Sequence, residues 1–171
     1  MRLAAIQMRS GRDREANLQR AAQWLREAAA QGASLALLPE NFALMAEDDD
    51  MRLRQAEDER DSSVRAFLCA QARWLHMAII GGSTLLRASA PDKVRNSCMV
   101  VDADGCCVAV YDKMHLFDVR LEHADYHESA IVMPGAAPVQ AELDGLRIGL
   151  SICYDLRFPE LYRHYAAQGC N

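Results

Sequence analysis

Long hydrophobic runs are missing from this 171-residue sequence. The apolar opening at residues 3–6 is cut short by Gln7 and Arg9, well below the length of a signal-peptide core or a membrane span. A surplus of positive charge is missing too: 19 Lys and Arg stand against 24 Asp and Glu, a net charge of -5. That balance gives no electrostatic footprint for nucleic acid or an anionic membrane, so neither is expected as a partner. The six cysteines contain no C-x-x-C spacing, which argues against a thiolate zinc site. As an unpatterned set they fit a reducing compartment better than a disulfide framework, and a cytoplasmic protein is the expectation. Internal repeats, low-complexity tracts and linkers rich in Gly, Pro and Ser are also lacking, so residues 1–171 read as one domain. With 51% hydrophobic and 25% charged residues, the chain has the composition of a globular protein with a sizeable core.

What is present is a change of period along the chain. "LAAIQM" (3–8), "SLALLP" (34–39) and "MAIIGGSTLL" (77–86) read as buried strands. Between the first two, Leu18, Ala21, Ala22, Leu25, Ala28 and Ala29 recur at helical spacing. They predict a helix over 14–31 that Gly32 stops. The charged run at 46–63 reads as a solvated loop and helix start. Ser62 or Ser63 can cap the next helix, whose Val64, Phe67, Leu68 and Leu75 point inward. Further on, alternation replaces the helical period. Asp104-Gly105 and Asp144-Gly145 each join two alternating segments, the signal of a tight hairpin. Pro159 fits the first turn of a last helix that ends at Gly169. The order of elements predicts a layered α/β architecture with a mixed sheet.

Three reactive side chains fall just beyond three of these strands: Glu40 after 34–39, Lys113 after the strand ending at Tyr111, and Cys153 after 146–152. Ligand sites of open α/β sheets gather beyond the carboxyl ends of strands. Taken singly, each residue has a plain structural explanation: a turn carboxylate, a surface lysine, a small buried thiol. Together they supply what attack on a carbonyl or nitrile carbon needs. A thiol of pKa about 8.5 is mostly protonated at neutral pH, and a helix beginning just beyond Cys153 is expected to favour its anion. Glu40 can take the thiol proton and return it to the leaving amine. Lys113 and the backbone N–H of Tyr154 can hold the oxyanion.

The strings that carry these residues, "LLPENF", "YDKMHLFD" and "SICYDLRFPELYR", resemble the three signature blocks of the nitrilase superfamily of carbon–nitrogen hydrolases. The opening "AAIQM" and the later "GASLALLPE" resemble the same family's start, so the likeness covers essentially the whole chain in the right order. The resemblance implies an αββα sandwich, a Glu40–Lys113–Cys153 triad, a thioester intermediate and no metal or cofactor. A further block, "ESAIVMPG", looks like the place of the family's second glutamate, which implies that Glu128 orients Lys113 and substrate. With "KMHLFD" it looks most like the Nit branch, amidases acting on amides of short dicarboxylic acids. A small-molecule substrate of that kind carries a free carboxylate and wants a cation nearby. Arg157 is the candidate, with a structural ion pair as its alternative.

Two other readings compete. "HADYHE" sets His123 and His127 four residues apart with carboxylates between them, which on a helix could hold a metal and serve a metallohydrolase. The order is not H-E-x-x-H, and the following "MPG" suggests a loop. The second rival is a non-catalytic binding or oligomerising protein. Nit-branch proteins continue well past the point where "HYAAQGCN" ends, so the chain reads as the N-terminal portion of the domain, either a truncated fragment or a pseudoenzyme. Bare sheet edges in such a fragment favour a homo-oligomer, dimer or higher.

Overall fold

The computed structural model describes residues 1–120 and 125–170. Three short apolar strands, β1 (Leu3–Ala5), β2 (Leu35–Leu37) and β3 (Ala78–Ile80), pair in parallel. The connections between them are helical: α1 (Arg14–Ala30), then α2 (Asp49–Gln55) and α3 (Ser63–Leu75). Asp13 caps α1 by accepting from the Ala16 N–H, and Ser62 caps α3 by accepting from Arg65, each satisfying an orphan donor of the first turn. Strands β4 (Thr84–Arg87), β5 (Val94–Val101) and β6 (Cys107–Asp112) extend the sheet in antiparallel fashion. Both β3 and β4 pair with β5, β3 with its C-terminal part and β4 with its N-terminal part, while β6 takes the opposite edge.

The sheet is covered on both faces. Against one face, Ala21, Leu25 and Ala28 of α1 and Val64, Leu68 and Ala72 of α3 pack on Ala36, Ile79, Met99 and Val101. Against the other lies the hairpin of β9 (Gln140–Leu143) and β10 (Leu146–Gly149), whose Ala141 and Leu143 meet Ile80, Cys98, Val100 and Tyr111. A small separate hairpin joins β7 (Asp118–Arg120) to β8 (Asp125–His127). Helix α4 (Pro159–Ala167) closes the far side of β10. There the Tyr165 hydroxyl donates to the Leu150 carbonyl, and the bare Gly149 lets the ring sit where a Cβ would be only 2.3 Å away. The layers are therefore helix, sheet, sheet, helix, as expected for an αββα sandwich. Among the described residues, no helix is long and apolar enough to cross a membrane.

Three elements differ from their sequence reading. The strand expected over 77–86 is two strands, because the chain turns at Gly82, whose φ is +51°. A side chain there would put its Cβ 2.0 Å from the Pro39 carbonyl oxygen, so the break lets β3 press against the segment that carries Glu40. The charged run contains a real helix, α2, which Asp48 caps by accepting from the Met51 N–H at 2.7 Å. Directly beyond Cys153, where a helix start was expected to favour the thiolate, comes a 3-10 turn, Cys153–Arg157, while α4 does start at Pro159 as the sequence reads.

Candidate active site

Strands β2, β3 and β6 share one direction, so the residues following β2 and β6 emerge at the same end of the sheet. Glu40 and Lys113 meet there, with Lys113 Nζ donating to Glu40 Oε1 at 3.3 Å. Glu128 receives the same ammonium through both oxygens, at 3.0 and 2.9 Å, and is itself fixed by the Phe117 N–H at 2.6 Å. Lys113 is only 2% exposed. Burial works against its charge, but the hydrogen bond to Glu128 and the charges of Glu40 and Glu128 outweigh it and raise its pKa. The ammonium is thus held charged inside the protein.

Cys153 arrives from the second sheet and lines the same cavity, about 520 Å³, together with Glu40, Lys113, Glu128, Arg52 and Phe117. Its φ is +47°, a left-handed conformation that a non-glycine side chain adopts at a cost of about 1–3 kcal/mol. Asn41, directly after Glu40, is also left-handed at φ +55°, and its N–H is held by the Ser83 hydroxyl oxygen at 2.9 Å. Backbone strain therefore sits beside two of the three side chains. Burial pushes the Cys153 thiol above its ordinary value, the negative charge and hydrogen bonding of Glu40 add to this, and Lys113 works against it. This corrects the expectation that a helix terminus favours the thiolate. The 3-10 turn separates Cys153 from α4, and burial, with the Glu40 carboxylate adding to it, outweighs Lys113. Glu40 and Cys153 also border a second, largely apolar cavity of about 350 Å³ between the two sheets, lined by Leu38, Ile80, Ile148 and Ile152.

The turn carrying Cys153 is tied to the Lys113 loop by one carboxylate. Asp155 is fully buried. Its Oδ1 accepts from the His115 backbone N–H at 2.9 Å and meets His115 Nδ1 at 2.7 Å, while Oδ2 accepts from the Tyr111 hydroxyl at 2.7 Å and the Ile152 N–H at 2.8 Å. The His115 ring stacks on Phe158 at 3.7 Å. A second anchor is Asn96 on β5, whose Nδ2 donates to Glu40 Oε1 at 2.9 Å and whose carbonyl accepts from the Lys113 N–H at 2.9 Å. Sequence reasoning missed Asn96, Asp155, Tyr111 and His115. Only the nearness of Asp155 to Cys153 and of Tyr111 and His115 to Lys113 could have drawn attention to them.

Of the other expected site residues, Tyr154 follows Cys153, with its ring edge-on to Phe117 and Phe158. Arg157 is exposed and does not line either cavity. The arginine that does is Arg52, paired with Asp49 at 3.1 Å. His127 lies on the exposed hairpin, within 3.9 Å of Asp125. Its expected metal partner His123 lies outside the described residues. Among those described, no group of three His, Cys, Asp or Glu side chains is placed to hold a metal ion.

Comparison with known proteins identifies the family. The carbon-nitrogen hydrolase family model matches residues 2–171. The deaminated glutathione amidase of Synechocystis sp. is 38% identical over 172 residues, which cover 98% of this chain and 62% of the relative. The omega-amidase NIT2 of Homo sapiens is 34% identical over 175 residues, 99% of this chain and 60% of the relative. The chain thus spans less than two thirds of the length of these relatives. Among solved structures, Nit3 of Saccharomyces cerevisiae, a nitrilase-superfamily member, superimposes with a TM-score of 0.85 at 28% identity, covering 98% of this chain and 60% of Nit3. An amidase from Nesterenkonia sp. AN1, carrying an acrylamide adduct on its active-site cysteine, gives 0.84 at 27% identity over 100% of this chain and 64% of that one. By sequence over its whole length and by fold, the chain belongs to the carbon–nitrogen hydrolase family, within the nitrilase superfamily.

Proposed function

We propose that the protein hydrolyses the C–N bond of a small amide through a cysteine thioester. The observation that carries this is the convergence of Glu40, Lys113 and Cys153 on one cavity from three separate strand ends. In the first step Glu40 takes the thiol proton as Sγ attacks the amide carbon. The new oxyanion is held by Lys113 Nζ and the backbone N–H of Tyr154. Collapse breaks the C–N bond, the proton on Glu40 passes to the leaving nitrogen, and ammonia departs to leave the thioester. Water then attacks the thioester, with Glu40 taking its proton and the thiol regaining one, and the acid is released. A raised thiol pKa suits this sequence, since the proton leaves only when base and electrophile are both in place. Glu128 keeps Lys113 charged and aimed.

The substrate favoured is the monoamide of a short dicarboxylic acid, as the Nit-branch relatives suggest. Its free carboxylate needs a cation on the cavity wall. Arg52 meets that need better than the exposed Arg157, by exchanging its partner Asp49 for the substrate. The test is ammonia release from a panel of amides. A dicarboxylic monoamide should turn over faster than a neutral aliphatic amide or a nitrile. The reverse ranking would remove the acid-end assignment, and no ammonia from any amide at all would remove the activity.

A further inference from the structure

We infer that Asn96 is a positioning residue that fixes which oxygen of Glu40 faces the thiol. The inference rests on the reading of Glu40 as the base. Asn96 lies mid-strand in β5 and is 3% exposed. Along β5 the side chains alternate: Arg95 and Ser97 both bond Asp112, while Asn96, between them, bonds Glu40. Its Nδ2 and Lys113 Nζ approach the same oxygen, Oε1. Among the described residues no nitrogen donor reaches Oε2, which leaves that oxygen to exchange a proton with Cys153.

A second observation supports a specific role for the amide. Its Oδ1 is buried without a hydrogen-bond partner, a condition that costs roughly 1–3 kcal/mol. The flipped amide would set an acceptor against the carboxylate, so the donor orientation follows from the charge of Glu40. A strand interior built only for packing would carry an apolar residue here. The buried amide gives Glu40 a neutral donor that holds it without taking its proton, whereas a lysine at that place would bring a further charge against the carboxylate. Since the Asn96 carbonyl also receives the Lys113 N–H, one residue sets the spacing of base and ammonium.

The test reads Cys153 directly and needs no substrate. Iodoacetamide alkylation of Cys153 is followed by peptide mass in the parent, Glu40→Gln, Asn96→Leu and Asn96→Asp between pH 6 and 8.5, with circular dichroism as a control on folding. Asn96→Leu should slow alkylation about tenfold or more, general-base losses being about 10²–10⁴-fold when complete. Asn96→Asp keeps the shape but sets two carboxylates together, which then share one proton as pH falls. Its deficit relative to the parent should be largest at pH 8.5 and shrink towards pH 6, a pH dependence that a packing role would not produce. Folded Asn96→Leu with a rate within twofold of the parent would overturn the inference, as would a deficit in Asn96→Asp that is flat with pH or that merely tracks loss of fold. If Glu40→Gln alkylates like the parent, the base assignment itself fails, a result distinguishable from failure at Asn96 alone.

Discussion

Of the carboxylates that organise the site, Asp155 and Glu40 are finished differently. Asp155 is fully buried, and both of its oxygens are occupied by donors from Tyr111, His115 and Ile152. Glu40 borders the cavity with nitrogen donors on Oε1 only among the described residues. A carboxylate with every lone pair engaged cannot take a proton without losing a bond, so it holds geometry. One with an oxygen free can accept a proton and give it back. The difference separates a clamp from a proposed base, and it assigns stability to one and turnover to the other.

Glu40→Gln is the largest break. It keeps shape and removes basicity, so turnover should fall about 10²–10⁴-fold with the melting temperature nearly unchanged. Lys113→Met comes next, with a loss of roughly 10²–10³-fold as the proposed oxyanion donor goes. This variant also has a stability signature. The Lys113 pKa is raised above its ordinary 10.5, so the stability it contributes is fully present below pH 10.5 and is lost as pH climbs through the higher folded value. Unfolding of the parent measured from pH 9 to 11.5 should show that alkaline loss, and Lys113→Met should not.

Asp155→Ala should behave in the opposite way to Glu40→Gln. Leaving several donors without an acceptor in the interior costs roughly 3 kcal/mol or more, so denaturant midpoints should drop before any catalytic effect is separable. Equal midpoints for parent and Asp155→Ala would erase the distinction between clamp and base. The smallest expected effect is at the cavity wall. Arg52→Met should raise KM about tenfold for a dicarboxylic monoamide while a neutral amide is unaffected, in line with the loss of one charge-assisted contact. Arg157→Met should change neither.

The sequence made the reactive residues readable and, of the supporting ones, only Glu128. Glu40, Lys113 and Cys153 follow apolar segments at places where polar residues of reactive type need an explanation, and their strings resemble a family. The two hairpins were readable at Asp104-Gly105 and Asp144-Gly145 because left-handed turns select such residues. Asn96 was hidden because it meets Glu40 across 56 residues, and nothing local marks a polar residue in a strand as facing a site. Asp155 looked like part of a helix start, whereas it folds back onto a loop 40 residues away. The split of 77–86 was missed because Gly81 and Gly82 sit inside an otherwise strand-like run. Only the approach of Pro39 shows why the chain must turn there.

On the proposed mechanism Cys153 carries the acyl group, with Glu40 moving its proton. The most direct test is the mass of the protein quenched in acid during turnover of a dicarboxylic monoamide, followed by peptide mapping. An added acyl group, the substrate less ammonia, is expected on the peptide containing Cys153, and none in Cys153→Ala. Ammonia released with Cys153 unmodified, or an acyl group found on the exposed Cys106 instead, would contradict it.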